Sequence, residues 1–160
     1  MKKRVYIETT VLGYLTSKPS RDLLLRAHQA VTRQWWDQYR PEFDLYVSQF
    51  VLDEVAKGDT EAAERRTLAA RGIPLLPVTD AAIVLADALM GSGHLPERAG
   101  TDALHIAVGT VHRVDFLLTW NCRHLANARI LAEIGPFART IGYELLYVCT
   151  PEELMGGEDD

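Results

Sequence analysis

Short runs of aliphatic, β-branched and aromatic residues alternate along this chain with longer stretches whose apolar residues recur at helical spacing. The short runs predict strands at residues 4–8, 45–48, 75–78, 116–119 and 145–149. The longer stretches predict one long helix that is capped by Ser20 or Asp22 and ended by Pro41. They predict four further helices, at residues 51–56, 60–70, 81–90 and 100–112, and Asp80 is the expected cap of the helix at 81–90. This alternation is typical of βαβ units, so we predict an α/β fold around a parallel sheet.

The size of the chain favours one domain. With 160 residues and 17.9 kDa it is long enough for one well-buried core and too short for two. We assign residues 1–150 to this domain and expect 151–160, which are rich in glycine and acidic residues, to form a flexible acidic tail. No apolar run approaches the roughly 20 residues that cross a bilayer, and no export signal follows the start, so we expect a cytoplasmic protein.

Charge and composition exclude some classes of function. A formal net charge of -5 argues against a protein that coats nucleic acid by bulk attraction, although a carboxylate cluster that holds a cation would itself add negative charge. The two cysteines form no C-x-x-C pair, which argues against a zinc knuckle. No glycine fingerprint follows the first strand, so a dinucleotide-binding dehydrogenase is also disfavoured.

Four polar residues are predicted to meet at one edge of the sheet. Glu8 closes the first strand, Glu54 lies on the helix after the second, Asp102 opens the helix at 100–112, and Asn121 follows the fourth strand. The ligand site of an open parallel sheet lies beyond the carboxyl ends of its strands. We therefore expect these four side chains to converge there.

Carboxylates in this arrangement suit metal-assisted hydrolysis of a phosphodiester. Mg²⁺ and Mn²⁺ take hard oxygen ligands and keep several waters, so Glu8, Asp102 and Glu54 would suffice to hold one. Such an ion orients and activates a water and offsets the charge of the scissile phosphate. The sequence thus predicts a Mg²⁺ or Mn²⁺ site that acts on phosphodiesters.

The same motifs resemble those of the PIN-domain ribonucleases, and in particular the VapC-like toxins of type II toxin-antitoxin systems. The matching segments are I-E-T with Glu8 and Thr9, the helix with Glu54, T-D-A-L-H-I-A with Asp102, and L-L-T-W-N with Asn121. The resemblance covers nearly the whole chain. It implies a three-layer α/β/α sandwich with a mostly parallel sheet of four to five strands, metal-dependent RNA cleavage, a homodimer and a small antitoxin partner.

Two positions depart from the family pattern. Glu8 stands where the family usually has Asp, which moves the carboxylate one methylene further from the backbone. Asn121 stands where an acid is common, which removes one negative charge from the site. The second departure leaves an alternative function open, a catalytically weak or inactive PIN-like domain that serves as a protein- or RNA-binding module.

Each proposed site residue also has a purely structural interpretation. The alternative for Glu8 is an exposed charge at a strand end, and the alternative for Asp102 is a helix N-terminal residue. Glu54 competes with Asp53, which points about 100° away on the same helix, so only one of them faces the site. Asn121 is also a common turn residue.

Further residues are expected to support the site. Thr9 and Thr119 are candidates to hold the carboxylates through their hydroxyls, and His105 lies on the same helical face as Asp102. Arg123 and His124 are possible phosphate contacts, with a solvated basic patch as the alternative. The tryptophans are expected in the core or at a dimer interface; they are Trp35, Trp36 and Trp120. Asp115 is expected at the opposite edge of the sheet.

Overall fold

A computed structural model describes residues 1–156 and contains a five-stranded, fully parallel sheet. The strands are β1 (Lys3–Ile7), β2 (Phe43–Ser48), β3 (Leu75–Leu76), β4 (Phe116–Leu118) and β5 (Tyr147–Cys149). Their order across the sheet is β3-β2-β1-β4-β5. The predicted α/β fold with a parallel sheet is confirmed, and all five strands lie where the apolar runs placed them, within about two residues at most ends.

Seven α-helices connect the strands in the described part of the chain. They are α1 (Thr9–Thr16), α2 (Leu23–Gln34), α3 (Gln49–Val55), α4 (Thr60–Ala70), α5 (Asp80–Gly91), α6 (Gly100–Val111) and α7 (Ala128–Thr140). A π-helical turn (Trp35–Tyr39) and a 3-10 turn (Arg40–Glu42) extend α2 towards β2. The sequence pattern did not predict α1, which is short and rich in threonine, or α7, which contains Pro136.

Helices pack on both faces of the sheet, which makes the fold a three-layer sandwich. Side chains alternate between the two faces of a strand, and paired residues of neighbouring strands share a face. Trp35, at the end of α2, stacks on Phe43 of β2. His105, on α6, contacts Tyr6 of β1, whose register places it on the other face. The two helix groups therefore cover opposite faces.

Side-chain caps begin most of the helices. Asp22 accepts a hydrogen bond from the backbone N of Leu25 at 2.8 Å, so it, and not Ser20, caps α2. At α5 the cap is Thr79, and the predicted cap Asp80 is instead the first helical residue. Thr79 takes this role because its hydroxyl reaches the backbone N of Ala82 at 3.3 Å.

Close packing joins α6 to the segment before β5. A Cβ atom at Gly109 would lie 2.6 Å from Cδ1 of Leu146, which is buried. Glycine therefore allows the helix to approach this segment. Beyond β5, Leu154 and Met155 still pack against the core, so the first part of the expected acidic tail is anchored, and residues 157–160 lie outside the described residues.

The helices of residues 1–156 show no membrane-spanning segment, since none of them is both long and apolar enough.

Candidate active site at the carboxyl edge of the sheet

Glu8 follows β1 directly and caps α1. Its Oε2 accepts a hydrogen bond from the backbone N of Thr10 at 2.9 Å, and its Oε1 accepts from the hydroxyls of Thr10 at 2.6 Å and Thr119 at 2.7 Å. The residue is only 4% exposed. Burial raises the pKa of the Glu8 carboxyl above its ordinary value, although His105 and the three hydrogen bonds act in the opposite direction. Glu8 is thus an internal carboxyl group, not the exposed strand-end charge that was its alternative.

Glu54 lies on α3 and faces the site. Its Oε1 accepts hydrogen bonds from the hydroxyl of Thr9 at 3.0 Å and from Nε2 of His105 at 2.7 Å. Partial burial acts to raise the pKa of Glu54, but the hydrogen bond and charge of His105, followed by Thr9, outweigh it and hold the pKa below its ordinary value. Asp53 is exposed and bonds to Gln49 on its own helix, so the structure places Glu54, and not Asp53, in the site.

Asp102 and Asn121 meet beyond β4. The Asn121 amide donates from Nδ2 to Oδ1 of Asp102 at 3.2 Å, and Nδ1 of His124 lies 3.1 Å from Oδ2. The Asn121 Oδ1 also accepts from the backbone N of Arg123 and of His124, at 3.2 and 3.0 Å. Asn121 therefore both forms the turn and contacts the acid, which are the two roles that the sequence left open.

Threonine hydroxyls hold Glu8 and Glu54 in place at this edge of the sheet. Thr9 and Thr10 are consecutive at the start of α1 and hold Glu54 and Glu8, respectively. Thr119 binds Glu8 and accepts from the backbone N of Asn121 at 2.9 Å. Because Asn121 in turn donates to Asp102, these bonds link Glu8 at the end of β1 to Asp102 on α6, whereas Glu54 on α3 is held separately by Thr9 and His105. We call this set of residues the acidic edge.

Thr10 was missed by the sequence reasoning, which selected only Thr9 from the E-T-T segment. Besides holding Glu8, the Thr10 hydroxyl accepts from the backbone N of Trp120 at 2.9 Å. The sequence held a signal for this contact, because a hydroxyl residue two positions after a helix N-cap residue is close enough to bond to the side chain of that residue. His105 does support a carboxylate, although its partner is Glu54 rather than its helical neighbour Asp102.

Trp120 holds the turn of Asn121 in place. It is 7% exposed, stacks on His28 at 4.2 Å and on Tyr14 at 5.8 Å between ring centroids, and donates from Nε1 to the hydroxyl of Thr32 at 2.7 Å. Trp35 is fully buried. Trp36 is partly buried and packs against the core. The expected core position is therefore observed for Trp35 and Trp120, and in part for Trp36.

The basic residues near the turn are open to solvent. Arg123 and Arg129 are exposed, while the side chain of His124 is 21% exposed beside Asp102. Asp115 lies at the other end of β4, where it accepts from the backbone N of Arg4 at 2.8 Å. It is therefore outside the acidic edge, as expected.

The acidic edge fits a divalent cation in its residue types but not in its arrangement. Carboxylate oxygens are the ligands that Mg²⁺ and Mn²⁺ prefer. Among residues 1–156, however, no three His, Cys, Asp or Glu side chains lie close enough together to hold a metal ion. The Glu8 carboxyl already accepts three hydrogen bonds, and its burial favours the neutral form. In this arrangement the acids do not form a metal site.

The parallel sheet, its two helical layers and the position of the acids define a PIN-like α/β/α domain. A search of solved structures finds a chain of VapBC2 from Rickettsia felis, in a crystal structure with a DNA fragment from the promoter. The match has a TM-score of 0.60, covers 92% of this chain and 98% of that chain, and shows 11% sequence identity. At this identity the likeness concerns the fold alone. Neither the family models nor the curated proteins compared with the sequence give a match.

Proposed function

We propose that this protein is a metal-dependent ribonuclease and the toxin of a toxin-antitoxin pair. The observation that carries the proposal is the acidic edge at the carboxyl ends of the strands of a PIN-like fold. There Glu8 is linked to Asp102 through Thr119 and Asn121, and Glu54 is held by Thr9, the neighbour of Thr10. This is the part of an open parallel sheet where ligands bind. The similarity to a chain of VapBC2 supports the toxin assignment at the level of the fold.

The residues near the Asn121 turn are the ones we assign to the substrate. Asp102 and His124 are partly exposed, with side-chain exposures of 16% and 21%, whereas Glu8 is buried. Arg123 lies beside them and is exposed. A phosphate group of RNA that approaches here would meet the Arg123 guanidinium and the His124 ring, both suitable donors to phosphate oxygens.

The cofactor we propose is Mg²⁺ or Mn²⁺, on the strength of the carboxylates and of the family resemblance. Because the acids do not form a metal site in this arrangement, we assign no catalytic step to the ion. The remaining proposals are a homodimer and a small antitoxin as partner. The second is supported by the fact that the similar chain belongs to a VapBC complex.

One set of observations favours the alternative of a non-catalytic PIN-like module. Asn121 is a neutral amide that binds the turn, and the Glu8 carboxyl is enclosed by Thr10 and Thr119. A domain in which neither Glu8 nor Asn121 binds a metal ion would keep its fold and its binding surface but would not cleave RNA. Turnover that requires a metal separates the two functions.

The deciding experiment is cleavage of a mixed, end-labelled RNA pool by the purified protein in Mg²⁺ or Mn²⁺ and in EDTA. Asp102→Asn removes one carboxylate from the acidic edge. Asp53→Asn is its matched control, since Asp53 is exposed on α3 and within residues 1–156 its side chain bonds only to Gln49. We expect metal-dependent cleavage by the wild type and by Asp53→Asn, and a loss of about 100-fold or more in Asp102→Asn. Folded wild-type protein that cleaves no RNA with either ion would support the binding module instead.

A further inference from the structure

A buried chain of hydrogen bonds leads from the interior of the sheet to Glu54. The Ser48 hydroxyl lies 2.6 Å from the Tyr6 hydroxyl, which lies 2.7 Å from Nδ1 of His105, and Nε2 of the same ring lies 2.7 Å from Oε1 of Glu54. Ser48 and Tyr6 are fully buried and His105 is 1% exposed. The four residues come from β2, β1, α6 and α3, so the chain of bonds joins four separate elements.

We propose that Tyr6 and Ser48 are positioning residues, which hold His105 with its proton on Nε2 and so fix the carboxylate of Glu54 at the acidic edge. The inference rests on the proposed function, because it concerns the same site. Neither residue touches the acidic edge itself. Both act through the His105 ring.

The direction of each hydrogen bond follows from what the groups can donate. An ionised carboxylate only accepts, so Nε2 of His105 carries the proton that it shares with Glu54. In the neutral ring Nδ1 is then an acceptor, the Tyr6 hydroxyl donates to it, and the Ser48 hydroxyl donates to Tyr6. In the protonated ring the Tyr6 hydroxyl turns towards Ser48, and Nε2 still donates to Glu54.

The Tyr6 hydroxyl is needed for this arrangement and not for packing. Tyr6 pairs with Tyr46 across β1 and β2, and Ser48 lies two residues further along β2 on the same face of the sheet. A phenylalanine would fill the same place in the core without the cost of burying a hydroxyl group. Here that cost is offset by two short hydrogen bonds, to Ser48 and His105.

The consequence for Glu54 is a carboxylate in which two side chains bind one oxygen and leave the other oxygen unoccupied by side-chain donors of residues 1–156. Oε1 accepts from both Thr9 and His105, and within residues 1–156 no side chain donates to Oε2. Oε2 is therefore the oxygen that remains for a water, an ion or a substrate group. Its position depends on the orientation of the His105 ring.

The first test is spectroscopic and does not require nuclease activity. The imidazole nitrogens of His105 are observed by long-range ¹H–¹⁵N NMR in wild-type protein, in Tyr6→Phe and in Ser48→Ala, with His105→Gln to assign the signal. The matched control is Tyr46→Phe, which removes a hydroxyl on the same sheet face that makes no hydrogen bond within the described residues. We expect a protonated Nε2 in the wild type and in Tyr46→Phe, and an altered Nδ1 signal in Tyr6→Phe. A proton on Nδ1 alone, or a signal that Tyr6→Phe leaves unchanged, overturns the hydrogen-bond chain.

The second test measures RNA cleavage by the same variants in Mg²⁺ or Mn²⁺. We expect kcat to fall about 10-fold in Tyr6→Phe, with KM changed less than about 2-fold, because loss of an outer partner of a site residue typically costs 10- to 100-fold. Ser48→Ala is the milder change and covers the case in which Tyr6→Phe does not fold. An altered His105 signal with unchanged kcat overturns the positioning role. A folded wild type without any cleavage overturns the proposed function, while the spectra still decide the hydrogen-bond chain.

Discussion

Replacing Thr119 with valine tests whether the Thr119 hydroxyl holds Glu8 and the Asn121 turn together. The hydroxyl donates to Oε1 of Glu8 at 2.7 Å and accepts from the backbone N of Asn121 at 2.9 Å, and Thr119 is fully buried. Valine keeps the branched shape and removes both bonds. Burial favours the neutral form of Glu8, so both bonds are counted as ordinary ones of about 0.5–1.5 kcal/mol each, and we expect a loss of about 1–3 kcal/mol in the free energy of unfolding.

Urea denaturation followed by circular dichroism measures this loss, with Thr119→Ser as the matched control. Serine keeps the hydroxyl and removes one buried methyl group, which costs about 1 kcal/mol. Because the two lost bonds outweigh one methyl group over most of this range, we expect Thr119→Val to be the less stable variant, by about 1 kcal/mol at the middle of the range. In a chain of this length each kcal/mol corresponds to roughly 2–4 °C in Tm.

A double-mutant cycle with Glu8→Ala isolates the contact between the two side chains, because alanine offers no acceptor to the Thr119 hydroxyl. If the hydroxyl stabilises the fold by binding Glu8, the two substitutions are coupled by about 0.5–3 kcal/mol. Equal stability of Thr119→Val and Thr119→Ser, or additive effects of Thr119→Val and Glu8→Ala, would refute the reasoning.

Two further predictions concern packing and thiol reactivity. Gly109→Ala places a Cβ atom 2.6 Å from Leu146 Cδ1, whereas the Cβ atom of the control Gly135→Ala meets nothing within 4 Å. We therefore expect the free energy of unfolding, measured by urea denaturation, to be at least about 1 kcal/mol lower for Gly109→Ala. Equal free energies of unfolding would contradict this. Burial raises the pKa of the Cys149 thiol to about 12, whereas Cys122 is exposed, so Ellman's reagent at pH 8 should label one thiol in native protein and two after unfolding. Cys122→Ser should abolish the native labelling.

Much of the fold was predictable because strands and helices leave different periods in the sequence. The five apolar runs identified all five strands, and the helix predicted at residues 60–70 coincides with α4. The prediction failed for α1 and α7. Threonines and Gly13 weaken the helical signal of the first, and Pro136 interrupts that of the second, so tertiary packing rather than local propensity stabilises both.

The convergence of Glu8, Glu54, Asp102 and Asn121 was also predictable, since residues that follow parallel strands are brought to one edge of the sheet. The hydrogen-bond partners of these residues were only partly predictable from the sequence. Thr9 and Thr119 were foreseen as hydroxyl donors, whereas the role of Thr10 was not.

The sequence by itself determined the order of the elements, the parallel sheet and the edge at which the acids lie, because periodicity specifies which face and which end of an element a residue occupies. The tertiary structure alone decided that Glu8 is enclosed by hydroxyls and that Glu54 bonds to His105. The bonds between Tyr6, Ser48 and His105 join residues that lie more than 40 positions apart. Such contacts depend on how far each helix sits from the sheet and how its side chains are turned, and the packing of the whole core sets both.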